Sequence, residues 1–283
     1  QMTYKLKPNT MYMMPTHFGP MCGPRQGPGG EVSAFSADER KTRKVSVSFL
    51  TNQEQLQDLL PEGFELFGDP VVTVDASYMT EIAWLAGRGY NVLGVTIGAC
   101  YEGKRDSAVG PFLLVLWENL TDPILTGREQ LGFSKIYCDL PEPLMYQDSI
   151  HCTASWQGFR FLDITVDDLS EEQADPATPV ATSSTNGVLK GQLHYKYIPK
   201  TGVWGEPDVA YAVLSPAHEP LNEPTSIWSG AGTVKFRKAC WEDLPTQYMI
   251  VNALSDLEIK DYCGASVQYS VGARDLGDQR ILE

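Results

Sequence analysis

The chain has 283 residues, 42% of them apolar and 20% charged, and its 36 Asp and Glu against 22 Lys and Arg give a formal net charge of −14 at pH 7. This composition excludes a disordered, collagen-like or coiled-coil chain, and the length allows one large domain over residues 1–283. So acidic a chain repels phosphate backbones and anionic lipid, so neither nucleic acid nor a membrane surface is an expected partner.

Residues 8–30 hold Pro8, Pro15, Pro20, Pro24 and Pro28 with five glycines, which predicts an irregular Pro/Gly-rich arm over residues 1–30. Val45-Ser46-Val47-Ser48-Phe49 then alternates with the period of a half-buried strand. Thr51 or Asn52 caps a predicted helix over Gln53 to Leu60, with Leu56, Leu59 and Leu60 on one face. Strand-like segments follow at Val71–Ser77, Leu93–Cys100, Phe112–Trp117, His151–Trp156, Gly158–Val166, Leu189–Ile198, Val209–Leu214, Gly232–Phe236 and Ser266–Val271. Turn signals such as Gly87-Arg88-Gly89 and Asn186-Gly187 separate them, and the acidic stretch 170–187 reads as an exposed loop. A second helix opens near Glu242-Asp243-Leu244-Pro245 and runs through Leu254. Many short strands with few helices predict an α+β fold built mainly on antiparallel sheet.

The longest apolar run, Phe112 to Trp117, is far short of the roughly 20 residues that span a membrane. Residues Gln1 to Lys5 carry no hydrophobic signal segment, and the cysteines Cys22, Cys100, Cys138, Cys152, Cys240 and Cys263 form no CxxC pair. Free buried thiols, a cytoplasmic location and no metal follow as expectations. No HExxH, P-loop, GxSxG or GxGxxG motif is present, so metalloprotease, nucleotide, hydrolase and dinucleotide chemistry lack support, and no cofactor is expected.

Chemistry concentrates in Gly127-Arg128-Glu129-Gln130-Leu131-Gly132-Phe133-Ser134-Lys135. A lysine is nucleophilic only as a neutral amine, which requires desolvation or a neighbouring cation. Leu131 and Phe133 are spaced to share the face of Lys135 on a strand. Arg128 supplies positive charge and Glu129 a carboxylate to orient either. The plain alternative is a solvated surface amine.

Gly-Arg-Glu followed by a glycine, an aromatic residue and a lysine resembles the signature of the acetoacetate decarboxylase family. There a Gly-Arg-Glu precedes Tyr-Pro-Lys-Lys, whose first lysine forms a Schiff base. Further segments resemble that family in the same order: Leu56 to Pro61, Tyr195-Lys196-Tyr197-Ile198-Pro199, Trp228-Ser229-Gly230 and Asp243-Leu244-Pro245. Long-form relatives share the arm Pro15-Thr16-His17-Phe18-Gly19-Pro20 and the segment Trp84 to Asn91.

The resemblance implies a closed, cone-like antiparallel structure with flanking helices, a homo-oligomer, and Lys135 as the covalent amine with Arg128 and Glu129 beside it. Acetoacetate decarboxylase is itself the standard example of a lysine activated by a cationic neighbour. Three positions depart from the family pattern. Ile136 replaces the second lysine, Val92 replaces a carboxylate in Tyr90-Asn91-Val92-Leu93-Gly94, and the early strand arginine falls nearest Thr42 or Arg43. An acidic residue is retained as Asp75. For a small keto acid substrate, the candidate binding residues are Arg88, which can hold a carboxylate, Tyr90, Trp84, Asp75 and Leu131 as lining, and His17 as a proton donor.

Decarboxylation of a β-keto acid through an iminium on Lys135 is the leading expectation. An aldolase or dehydratase acting on pyruvate or another keto acid uses the same enamine chemistry. A non-catalytic binding protein on this scaffold is the third.

Overall fold

A computed structural model describes residues 5–19, 24–27, 29–32, 34–35, 39–172, 184–185, 187–217, 223–273 and 276–283. Pro20, Cys22, Pro28, Asn186, His218 and most of the expected 170–187 loop lie outside these residues.

Alternating apolar residues make the strands. β1 (Lys41–Leu50), β2 (Phe64–Leu66), β3 (Val71–Ile82), β4 (Arg88–Glu102) and β5 (Ser107–Glu118) open the chain. Then come β6 (Lys135–Tyr137), β7 (Leu144–Tyr146), β8 (Ser149–Trp156), β9 (Phe159–Glu171) and β10 (Ser184–Thr185). β11 (Val188–Pro199), β12 (Pro207–Pro216), β13 (Glu223–Phe236), β14 (Asp261–Val271) and β15 (Arg280–Ile281) complete the set. All fifteen belong to one sheet, ordered β15-β12-β11-β5-β4-β3-β1-β14-β13-β9-β8-β7, with β2 on β4, β6 on β5 and β10 on β11.

Every second residue of the central strands enters one core: Val45, Val47 and Phe49 of β1, Val72, Val74 and Ala76 of β3, Leu93, Val95 and Ile97 of β4, and Trp117 of β5. The strand period read from the sequence is the period of burial. The residues between them face the other side of the sheet, and the site is built there.

β5 organises that second face. One edge pairs with β4, antiparallel, from Glu118 to Ser107. Its other edge is shared, both partners running parallel: β11 at Ala108, Val109 and Phe112, and β6 at Leu116, Trp117 and Glu118.

The α+β, mainly antiparallel expectation holds, but the sheet is not closed. The strand path runs from β15 to β7, and no pairing joins these ends among the described residues. Both are too short to continue the ladder; β7 offers three exposed residues and β15 two.

The helices are shorter than expected. α1 spans Gln53–Gln57, with Asn52 Oδ1 accepting from the Glu54 amide. α2 (Thr121–Thr126) was not foreseen, and α3 (Tyr248–Ser255) begins only at Tyr248, because Glu242 to Gln247 form turns. No helix among the described residues is long and apolar enough to cross a membrane. Cys138 and Cys152 are free and buried as expected, whereas Cys240 and Cys263 are free but exposed.

Candidate active site

The lysine is positioned by a helix that is made to end. Asp122 sits in the first turn of α2, where a carboxylate complements the helix dipole, and Pro123 needs no amide partner there. The helix widens into a π turn over Gly127–Leu131 and stops at Gly132, whose φ of 81° is in the left-handed region. Three residues later Lys135 starts β6.

Lys135 is 8% exposed. Its Nζ lies 2.8 Å from Oε1 of Glu118, itself 1% exposed, and donates to the Pro123 carbonyl at 3.1 Å. The Phe133 ring centroid is 5.7 Å from Nζ, and Leu131 and Phe133 pack with Leu113 and Leu116 in a small apolar cluster. Gly127 is a glycine because the lysine lies on it: a Cβ there would meet Cδ and Cε of Lys135 at 2.5 Å.

Burial pushes the Lys135 amine below the ordinary lysine range; Glu118 opposes this, and Arg25 and Arg40 add to it. Burial also raises the Glu118 carboxyl, opposed by Lys135. Both groups are driven toward their uncharged forms.

Lys135 faces a cavity of about 70 Å³. Arg25 of the arm and Arg40 before β1 line it, and Trp84, Tyr90, Thr126 and Leu131 complete much of the wall. Arg25 donates to Oε1 of Gln130 at 2.7 Å, which fastens the arm to the π turn.

Two residues of β11 hold the turn from behind. Lys196 Nζ donates to the carbonyls of Glu129 (2.6 Å) and Gln130 (3.3 Å), a cation at the end of a helical segment. His194 Nε2 is 2.9 Å from the Leu131 carbonyl, so this nitrogen carries the proton, and its ring stacks on Phe133 at 4.2 Å. Burial lowers the His194 pKa to about 4.

Among the expected site residues, Lys135, Leu131, Tyr90 and Trp84 come together around the cavity. The others do not. Arg128 is exposed and donates to the main-chain carbonyl of Lys135 at 2.8 Å, so it tethers β6 and does not flank the amine. Glu129 turns its carbonyl to Lys196. Arg88 is exposed and bonds the Leu85 carbonyl; His17 is exposed and packs on Phe18, because the arm holds both ring side chains at the surface. Asp75 shares the sheet face of Lys135 but accepts from the Ser46 hydroxyl, three strand spacings or about 14 Å away along the sheet.

The early strand arginine, open between positions 42 and 43 in the sequence, takes its side from the register. Arg43 has the parity of Val45 and Val47, so it faces the opposite side, over the Tyr78 ring and paired with Glu142. Arg40 reaches the cavity instead. Ile136 pairs with Trp117 and packs on the main core, so position 136 faces away from the amine. Glu118 escaped the sequence reading entirely, although it lies directly opposite Val92, the position where the carboxylate was missing. Among the described residues no cluster of three His, Cys, Asp or Glu could hold a metal.

The profile of the family described as Acetoacetate decarboxylase (ADC) matches residues 14–269. The chain belongs to the acetoacetate decarboxylase family. Among solved structures, the acetoacetate decarboxylase of Legionella pneumophila subsp. pneumophila str. Philadelphia 1 superposes with a TM-score of 0.64 at 16% identity, covering 100% of this chain and 98% of that one. The enduracididine biosynthesis enzyme MppR complexed with pyruvate gives 0.60 at 17% identity, covering 91% and 95%. MppR complexed with the condensation product of pyruvate and imidazole 4-carboxaldehyde gives 0.61 at 17% identity, covering 92% and 97%. At such identities these likenesses establish the family fold and nothing finer. No curated protein sequence matches.

Proposed function

We propose that the chain is a Schiff-base-forming carbon–carbon lyase that attacks the ketone carbon of a small keto acid with the Lys135 amine. The observation that carries this reading is a lysine buried to 8% exposure in a cationic cavity, its amine pushed toward the neutral form. The iminium nitrogen is an electron sink. From a β-keto acid, the bond to the carboxyl carbon breaks, carbon dioxide leaves, and the electron pair becomes an enamine. Arg25 and Arg40 supply the charge that draws the anionic substrate in, and a cavity of about 70 Å³ suits a molecule of few heavy atoms.

One observation favours a second branch. Two guanidiniums stabilise a carboxylate in place and so oppose its loss, which suits retention of the carboxylate and attack of the enamine on an aldehyde. The MppR structures with pyruvate and with its condensation product are consistent with that branch.

The test is borohydride trapping with acetoacetate, acetopyruvate and pyruvate, followed by mass mapping. Adduct on Lys135 is expected; adduct on another lysine, or none with any keto acid, removes the reading. Carbon dioxide release separates decarboxylation from aldehyde consumption without gas.

A further inference from the structure

Among the described residues Glu118 is the one carboxylate in contact with the candidate nucleophile, and no step above uses it. Its Oε1 is 2.8 Å from Lys135 Nζ, it is 1% exposed, and Oε2 is buried with no hydrogen-bond partner among the described residues. A buried ion pair is poor value for stability, since desolvation of two charges offsets their attraction. The surroundings favour the uncharged pair, with Arg25 and Arg40 the other charged groups that face the amine among the described residues.

We propose that Glu118 is the proton carrier of the Lys135 amine, taking a proton from the ammonium and returning it to the oxygen that leaves during Schiff-base formation. This rests on the Schiff-base reading above. The balance is complete within the pair. One ammonium proton moves to the Glu118 carboxylate, leaving a neutral amine and a carboxylic acid. The nitrogen lone pair forms the bond to the ketone carbon, the carbonyl π pair moves to oxygen, and a nitrogen proton passes to that oxygen, giving a neutral carbinolamine. The carboxylic acid then protonates the hydroxyl, the carbon–oxygen bond breaks, and water leaves. A protonated iminium faces the Glu118 carboxylate. No external acid, oxidant or metal is needed.

A purely structural ion pair predicts the opposite response to mutation. Without Glu118 the ammonium loses its counter-charge, so its pKa falls further and the amine becomes freer. Glu118→Gln is therefore examined in two ways. Competitive acetylation of Lys135 with mass readout across pH should show the labelling curve moved to lower pH. Borohydride trapping with the keto acid that labels the wild type should be slower by about 100-fold or more, the range lost with a general acid–base group. Glu118→Asp, which keeps the carboxylate one methylene farther off, should fall between the two, and it carries the test if the Gln variant does not fold by circular dichroism.

Trapping at or above the wild-type rate in a folded variant overturns the proposal and leaves the Schiff-base reading standing. A wild-type chain that gives no adduct with any keto acid overturns both.

Discussion

At the scale of single residues, the decisive contact is between a glycine and a lysine. Gly127 has ordinary helical angles, φ −66° and ψ −39°, so its backbone does not require glycine and an alanine would fit the helix. The space above it is filled by the aliphatic stem of Lys135, whose Nζ would stand 2.7 Å from an added Cβ. A flexible side chain can move aside at small energetic cost, but the amine then leaves Glu118 and Pro123. Gly127→Ala should therefore change the melting temperature by no more than a few degrees while reducing adduct formation at least tenfold. Thermal unfolding and borohydride trapping of the same preparation check this; equal trapping at equal stability would show that the amine tolerates displacement. The same scale explains how the amine is pushed below the ordinary lysine range without a cation at position 136. Burial is the largest cause, and Leu131 and Phe133 supply part of it, as their spacing suggested.

At the scale of elements, the turn that carries the lysine is clamped from β11 by His194 and Lys196. His194 is 0% exposed, and burial holds it neutral with a pKa of about 4 against 6.5 for a free imidazole, although its hydrogen bond to the Leu131 carbonyl pulls the other way. The depressed value sets the sign. Between pH 6.5 and about 4 the unfolded chain binds this proton and the folded chain does not, so stability falls as pH falls through that window and levels off below it. The contribution is on the order of 3 kcal/mol across the window. His194→Gln, whose amide can still reach the carbonyl, should be less stable at pH 7 yet show a flatter fall in melting temperature down to pH 4. Parallel slopes for the two proteins would remove the assignment. Elements also mark the limit of what the sequence discloses. Lys135 was legible because Gly-Arg-Glu and the spacing of Leu131 and Phe133 are local. Glu118 was not, since a charge one residue past an apolar run reads as a strand leaving the core. Only the parallel pairing of β6, Glu118 beside Tyr137, buries it. The side taken by Arg43 was open because parity is known only once the register to β3 is known, Arg43 opposite Tyr78.

At the scale of the whole molecule, the cavity is completed by chain that lies outside the sheet. The arm is tied to itself through Gln26, whose side chain accepts from the Met11 amide at 2.8 Å and donates to the carbonyls of Asn9 and Gly30. It is tied to the site through Arg25 and Gln130, and Met13 is buried. None of this participates in the strand ladders, so a chain beginning at Glu39 keeps every strand pairing described and also keeps Arg40. It loses Arg25 and part of the cover over Lys135, and both losses act in one direction. Removing a neighbouring cation and readmitting water each stabilise the ammonium, so the Lys135 pKa rises toward the ordinary lysine value. Each unit of rise reduces the neutral fraction about tenfold at a pH below the pKa. The shortened chain should fold with its sheet intact, trap keto acid more slowly at pH 7, and regain much of the lost rate as pH is raised toward 10. Arg25→Gln in the full chain should show the smaller share of the same displacement, because the cover remains and burial is the larger cause. Trapping rates measured across pH for all three proteins decide the matter: if the shortened chain and the full chain share one pH profile, the sheet face and the π turn alone desolvate the amine, and the arm has no part in activating it.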